Sequence, residues 1–450
     1  MTAQTIAQQM GARLEAGDAE AVTRAALKLA QTEDTIFVRT EPEAALAQAR
    51  TCDVLAARGQ AMGPLHGVTL AHKDMFDRAG QVTGFGAHPD AARAATGTST
   101  VLARLDAAGQ VDLGRLTMSE FAMSPTGQNA HWGVARNPRI PGAVPGGSSS
   151  GSGAAIAAGL VRAALGSDTG GSIRLPAACC GVVGFKPTKG RVPVTGVMPL
   201  SYTLDCVGPL AASVAEARLV LSIISGADGI DPVCADRPAP RAYARSPQKL
   251  RIGFDASAYT AGIAPEMAEG LRRLKALLQD LGHGIVDLDL SLLDTLGEAS
   301  NVIAMSEAAA VHADRLAVAA ERYGPQVRSR LLQAEAMPGY AYVRAMQIRL
   351  KAQQQVNQEV FGKVDLFILP TLIGLPPMAD AVNISADPKM ASLIGSMGKY
   401  TRPLNLLGLP ALSLPGHEAE GLPYSVQIVG PAWSEDLIAD LGQQVETVRA

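Results

Sequence analysis

Aromatic residues supply only 4% of the 450 positions, so the chain offers no clear stacking platform and singles out neither an aromatic nor an aliphatic ligand. Charge is sparse as well, at 18%. With 39 Lys and Arg against 42 Asp and Glu, the net charge is −3, and no run of basic residues breaks that balance. A nucleic-acid footprint is thereby excluded. Cysteine occurs five times, at Cys52, Cys179, Cys180, Cys206 and Cys234. That odd, scattered set makes neither a disulfide framework nor a C-x-x-C zinc site, and it fits a reducing compartment. The adjacent Cys179 and Cys180 read as small hydrophobes in a core. Long apolar runs are missing too: the most apolar window, Ala154 to Leu165, is too short to cross a bilayer and contains Arg162. Met1 to Gln9 is polar, without the basic and apolar regions of a signal peptide. The expectation is a soluble cytoplasmic protein with no nucleic-acid or membrane partner.

Small and apolar residues are plentiful. Hydrophobic residues make up 47% of the chain and glycine occurs 46 times, as in a globular protein with a large, alanine-rich core. Residues from Thr5 to about Gln60 have the spacing of two amphipathic helices. After Gly63-Pro64, Val68 to Ala71 reads as a buried strand ending at His72-Lys73-Asp74. Helix then follows around Thr98 to Ala108 and strand over Val111 to Leu113. Ser213-Val214-Ala215-Glu216 has capping-box spacing and opens a helix reaching Ser225. Leu250 to Phe254 and Gly284 to Leu288 read as strands around a helix beginning near Pro265. Leu292 to Phe361 looks like successive helices that could cap a sheet, and Ala235 to Ser246 reads as a surface connection. Asp365 to Thr371, Ala411 to Leu414 and Tyr424 to Val429 are further strands, closed by a helix from Ser434. Such alternation predicts an α/β fold: one large domain over residues 1–450, with a central mixed β-sheet covered by helices on both faces. Within it, residues 1–60 form N-terminal helices, 61–225 a catalytic core and 292–361 a helical cap.

The chemistry concentrates between Pro145 and Pro176. Two serine-bearing, glycine-rich turns, Gly146-Gly147-Ser148-Ser149 and Asp168-Thr169-Gly170-Gly171-Ser172, flank a short apolar link. The second turn can supply a nucleophilic hydroxyl together with crowded backbone N–H donors, because its glycines carry no Cβ to obstruct the turn. A short helix from Ser172 to Ala178 would add its positive end to the same spot. Ser148 provides a second hydroxyl able to relay a proton, but a serine is too weak to be the final base. Lys73, at the end of an apolar strand, is the candidate acceptor. An ordinary lysine is neutral in only about one molecule in a few thousand at pH 7, and burial favours the neutral form. Other readings fit less well. No lysine follows Gly151 or Gly153 as a phosphate loop requires, and prolines replace the strand that would precede a dinucleotide fingerprint. The seven histidines are scattered, without metal spacing or a Gly-x-Ser-x-Gly elbow. His72 adjoins Lys73, but neighbouring strand residues face opposite ways.

Gly146 to Pro176 resembles the amidase signature family throughout its length. The resemblance extends to Leu70 to Met75, Phe121-Ala122-Met123, Cys180 to Thr188, and Thr401 to Pro410. It implies the amidase signature fold and hydrolysis of a carboxylic or urea-like amide. By position, Ser172 is similar to the family's acylated nucleophile, and Ser148 to a bridging serine after a non-proline cis peptide bond. Lys73 matches the base. The N–H groups of Thr169, Gly170, Gly171 and Ser172 resemble an oxyanion hole, and Ser149, Asp168 and Arg174 resemble residues that hold the turns in place. Pocket walls would come from the loops of Met123 and Tyr202 and from the region between Leu292 and Met397. The resemblance implies no metal or organic cofactor. It makes a small-molecule amide the partner and leaves a homodimer open. The same family contains the glutaminase subunit of an aminoacyl-tRNA amidotransferase. Tyr202 to Pro209 and Thr401-Arg402-Pro403 look more like the free-standing enzymes.

Overall fold

A computed structural model describes residues 18–33, 35–245, 248–382 and 388–449. Residues 5–17 of the expected N-terminal helices, the polar Met1–Gln9 segment and Ser246 of the expected connection lie outside the described residues. In chain order the N-terminal part comprises α1 (Ala19–Ala30), β1 (Phe37–Thr40), α2 (Pro42–Ala56) and β2 (Val68–Lys73). A two-stranded ribbon, β3 (Val82–Thr83) and β4 (Arg93–Ala94), leads to α3 (Thr100–Ala107) and β5 (Gln110–Leu116). The glycine-rich region then gives α4 (Ser150–Ala157), β6 (Ala163–Asp168) and α5 (Arg174–Cys180). It is followed by β7 (Val183–Lys186), β8 (Cys206–Ala211), α6 (Val214–Ile224), β9 (Arg251–Asp255), α7 (Pro265–Asp280) and β10 (Gly284–Leu288). Three helices occupy the region expected to be helical: α8 (Leu296–Ala319), α9 (Pro325–Glu335) and α10 (Gly339–Gln355). The chain closes with β11 (Leu366–Pro370), α11 (Pro388–Met397), α12 (Arg402–Leu407), β12 (Ala411–Ala419), β13 (Leu422–Val429) and α13 (Glu435–Arg449).

Eleven strands form one mixed sheet in the order β1-β5-β2-β6-β8-β7-β12-β13-β11-β9-β10. The pairs β5–β2 and β2–β6 are parallel, as are β11–β9 and β9–β10, whereas the strands between β6 and β11 pair antiparallel. Every residue of β2 is buried, the polar Thr69, His72 and Lys73 included. Successive residues enter opposite faces: Leu70 and Leu165 pack in one core cluster, and Ala71 and Ala164 in another. The second cluster also takes in Ala154, Ala155, Ile173 and Ala177 of the glycine-rich region. The cap helices cover a third cluster, where Ile303 and Ala345 meet Phe367, Leu369 and Ala411. The chain is thus a single α/β domain with helices on both faces of the sheet.

Sequence-encoded caps and clasps fix the periphery. Ser213 caps α6 by accepting the N–H of Glu216 at 3.3 Å, and its hydroxyl donates back to Glu216 Oε2 at 3.0 Å. The arginine-rich connection before residue 246 is pinned to α13: Arg241 pairs with Asp436 at 3.0 Å and with Asp440 at 2.8 Å. Arg218, buried on α6, reaches the same two aspartates. Ser213→Ala removes the cap far from the glycine-rich turns. It should lower stability by about 1 kcal/mol in urea unfolding while leaving turnover unchanged.

Candidate functional site

Parallel pairing of β2 with β6 brings two strand ends together. Lys73 is the last residue of β2 and Asp168 the last of β6, so the site lies at the carboxyl ends of adjacent parallel strands, where α/β sheets open a crevice. Beyond Asp168 the chain turns through Thr169 to Ser172 into α5. Gly171 adopts φ +131°, and a Cβ there would collide with Thr401 and come within 2.9 Å of Leu175, so the turn accepts only glycine. The upstream turn approaches as closely: a side chain on Gly147 would strike the backbone N–H of Gly127 at 2.6 Å. The peptide bond between Gly147 and Ser148 is cis.

Lys73 is fully buried, and its Nζ lies 2.7 Å from Ser148 Oγ and 2.8 Å from Ser167 Oγ. Burial pushes its ammonium down to about 7, against the opposing pull of the Asp205 and Asp168 carboxylates. A large part of the population at neutral pH therefore carries an uncharged amine. Ser172 is part-exposed and lines a pocket of ≈ 80 Å³ together with Thr169, Gly170 and Met123. Its carbonyl accepts the N–H of Ser149 at 3.3 Å, which links the two turns directly.

Asp168 organises the second turn. Its carboxylate accepts the N–H groups of Gly171 at 2.7 Å and Ile173 at 3.2 Å, the Arg174 guanidinium at 3.1 Å and Asn405 Nδ2 at 2.8 Å. Burial alone would raise its pKa, but the charge and hydrogen bonds of Arg174 hold it down at about 2. Arg174 in turn donates to Gln427 Oε1 at 2.9 Å, Thr401 O at 3.0 Å and Asn405 Oδ1 at 2.6 Å. Thr401 Oγ1 closes the ring by donating to Gly170 O at 2.7 Å. The Gly171 N–H is committed to Asp168.

The remaining residues singled out by sequence fall into place differently. Ser149 Oγ donates to Ser167 O at 3.4 Å. His72 turns away from Lys73: its Nε2 is 2.9 Å from Gln110 Oε1, its Nδ1 accepts Leu165 N–H at 3.2 Å, and burial pushes it down to about 4. Tyr202 lines not the pocket of Ser172 but a smaller cavity beside Ser167 and Asp205, and 55% of it faces solvent. The five cysteines are buried. Among the described residues no group of three or more His, Cys, Asp or Glu side chains converges as a metal site. Sequence reasoning misses Ser167, Asp205 and Arg330. Asp205 accepts Thr169 Oγ1 at 2.5 Å and the N–H of Ser201 at 2.9 Å, and burial raises its pKa. The β2–β6 register, with His72 opposite Leu165, brings the two strand ends together and leaves Ser167 one residue beyond the position opposite Lys73; no local signal marks the other two.

Comparison with known proteins gives a consistent picture. A family model named Amidase matches residues 21–438. A glutamyl-tRNA(Gln) amidotransferase subunit from Chloroflexus aurantiacus is 36% identical, over 96% of this chain and 94% of its own. A solved chain from "an unexpected vestigial protein complex" that "reveals the evolutionary origins of an s-triazine catabolic enzyme" superposes with a TM-score of 0.88. It is 33% identical, covering 96% of this chain and 95% of its own. A crystal structure of an amidase gives a TM-score of 0.86 at 30% identity, covering 99% of this chain and all of its own.

Asp168→Asn leaves the Arg174 charge buried without its counter-ion, which should cost about 3–5 kcal/mol at neutral pH. The carboxylate's stabilisation is complete above its unfolded pKa of 3.8 and is lost as pH falls through the folded value of about 2. Urea unfolding should therefore show the gap between wild type and variant closing between about pH 4 and pH 2.

Proposed function

The chain belongs to the Amidase family and is an amidohydrolase; on that premise we propose that it breaks a carboxylic or urea-like amide bond through an acyl-enzyme on Ser172. Neutral Lys73 accepts the proton of Ser148, which accepts the proton of Ser172 as its Oγ attacks the carbonyl carbon. The C–N bond then breaks, and the proton held on Lys73 returns through Ser148 to the departing ammonia or amine. Water attacks the acyl-enzyme by the same relay, releasing the acid and restoring Ser172. The N–H groups of Thr169, Gly170 and Ser172 stabilise the charge that develops on the carbonyl oxygen. Asp168, Arg174 and Ser149 hold those donors in place.

One observation carries this reading: a buried amine within 2.7 Å of one serine hydroxyl and 2.8 Å of another, with its pKa lowered to about 7. A neutral amine has one lone pair and N–H groups to donate, so Ser148 can donate to Nζ while Nζ donates to Ser167. That arrangement orients the lone pair along the relay. Ser-Lys pairs are an established alternative to Ser-His-Asp.

A second reading is the glutaminase subunit of an aminoacyl-tRNA amidotransferase, in which the same chemistry frees ammonia for a partner. The 36% identity with the Chloroflexus protein over 96% of this chain favours it. Both readings suit a cytoplasmic protein, and among the described residues no helix is long and apolar enough to cross a membrane. Expression of the chain alone separates them: an independent hydrolase turns over small amides without a partner, whereas an amidotransferase component depends on co-expressed proteins and co-purifies with them.

Ser172→Ala should abolish ammonia release and the acyl-enzyme mass adduct; retained turnover would remove the nucleophile assignment. For the wild type, kcat/KM should rise with pH and level off above about 7, because deprotonation produces the active amine. Lys73→Ala should reduce the rate by at least ~100-fold at neutral pH and leave a residual rate that climbs toward high pH.

A further inference from the structure

The wall of the Ser172 pocket carries two guanidinium groups and no carboxylate. Arg330, on α9, donates to the Met123 carbonyl and contacts Met305 Sδ at 3.7 Å. Arg402, opening α12, donates to Gly395 O at 2.9 Å. Both line the pocket, and among the described residues neither forms an ion pair. Their surroundings penalise charge: burial and the nearby Arg402 cation push Arg330 down to about 10, and burial lowers Arg402 as well. Gly398 leaves room for this arrangement, since a Cβ there would meet the Arg402 guanidinium carbon at 2.7 Å. Three more deeply buried arginines are neutralised: Arg174 by Asp168, Arg191 by Glu435, and Arg115 by Asp112.

Two cations partly withdrawn from water, close enough to oppose one another, are costly unless an anion is brought to them. Here the place for that anion is the pocket that Ser172 faces. Ser300 and Asn301 add neutral polar groups to the same wall. None of the residues lining the pocket is an aspartate or a glutamate, so a substrate ammonium would find two guanidinium groups and no partner.

We propose that the substrate is a small amide bearing a carboxylate at its far end and no ammonium group, with the carboxylate held by Arg330 and Arg402 while the amide carbonyl meets Ser172. This rests on the Ser172 hydrolase reading and deepens it. It also separates the two activities considered above, because glutamine presents an ammonium beside its carboxylate.

Three probes of matched length test the proposal: glutaramate, pentanamide and glutamine. Glutaramate is glutamine without its amino group, and pentanamide replaces its carboxylate by a methyl group. Malonamate and succinamate, each with its neutral counterpart, cover shorter spans. With ammonia release as readout, kcat/KM for the best monoanion should exceed its neutral counterpart by ~10- to 100-fold, the range of a charge-assisted contact. Glutamine should be poorer than glutaramate by a similar ~10- to 100-fold factor, since like charges are driven apart. Arg402→Met and Arg330→Met should erase the preference for the anion, bringing the ratio of kcat/KM for the best monoanion over its neutral counterpart to within about threefold of one. The wild-type series decides the matter even if Arg330→Met, which loses its bond to Met123, fails to fold. Equal rates for charged and neutral amides, or a preference for glutamine, would overturn the proposal while leaving Ser172 hydrolysis standing. If no amide releases ammonia and no adduct forms on Ser172, the hydrolase reading fails and this proposal with it.

Discussion

The Asp168 carboxylate, ionised in the interior and gripped by Arg174, is the tie on which the rest of the site depends. It draws the N–H groups of Gly171 and Ile173 inward, at 2.7 and 3.2 Å, and so bends the chain that carries Ser172. The same charge, with that of Asp205, opposes the desolvation of Lys73. A buried amine with no acid near it would be neutral well below physiological pH and too weak a base to hold a proton in transit. Two carboxylates beside it would keep it charged were it wetter. The balance leaves the lysine near neutrality, which suits the relay proposed for it.

Much of the fold is legible in the sequence because its signals are local. Val68 to Ala71 is an apolar run stopped by charged residues, and it becomes β2 with Lys73 at its end. Ser213 and Glu216 specify the start of α6, and Pro265 opens α7. The glycine-rich turns announce themselves by composition. By contrast, β6 is hidden: Ala163 to Asp168 reads Ala-Ala-Leu-Gly-Ser-Asp, residues with little strand preference, so it merges with α4 into a single apolar link. Without β6 nothing brings the end of that segment, with Ser167, alongside the end of β2. Tyr202 looks like a pocket wall because its neighbours resemble a family pattern, yet its loop is turned by Asp205, which accepts the Leu200 and Ser201 N–H groups and points the ring outward. The Arg330 side chain reaches the pocket only because α9 folds back over the Met123 loop.

Charge is used sparingly and unevenly. Most interior ions are matched within hydrogen-bond distance, as in the Arg78–Asp112 and Arg115–Asp112 pairs. In the pocket of Ser172, by contrast, Arg330 and Arg402 have no acidic partner among the described residues. Unmatched charge in a crevice suits a binding site, since electrostatic potential there acts on what enters.

The clamp on Asp168 reaches far along the chain. Arg174 bonds to Asn405 and Gln427, partners 231 and 253 residues away. On a ribosome, the turn bearing Ser172 emerges long before the segments that lock it. Until residue 427 has been made, the ring of bonds around Arg174 is incomplete, so a nascent chain holds the turn bearing Ser172 without its full clamp. Closure of that clamp is therefore a late event in folding, and a chain cut short after the glycine-rich turns lacks it.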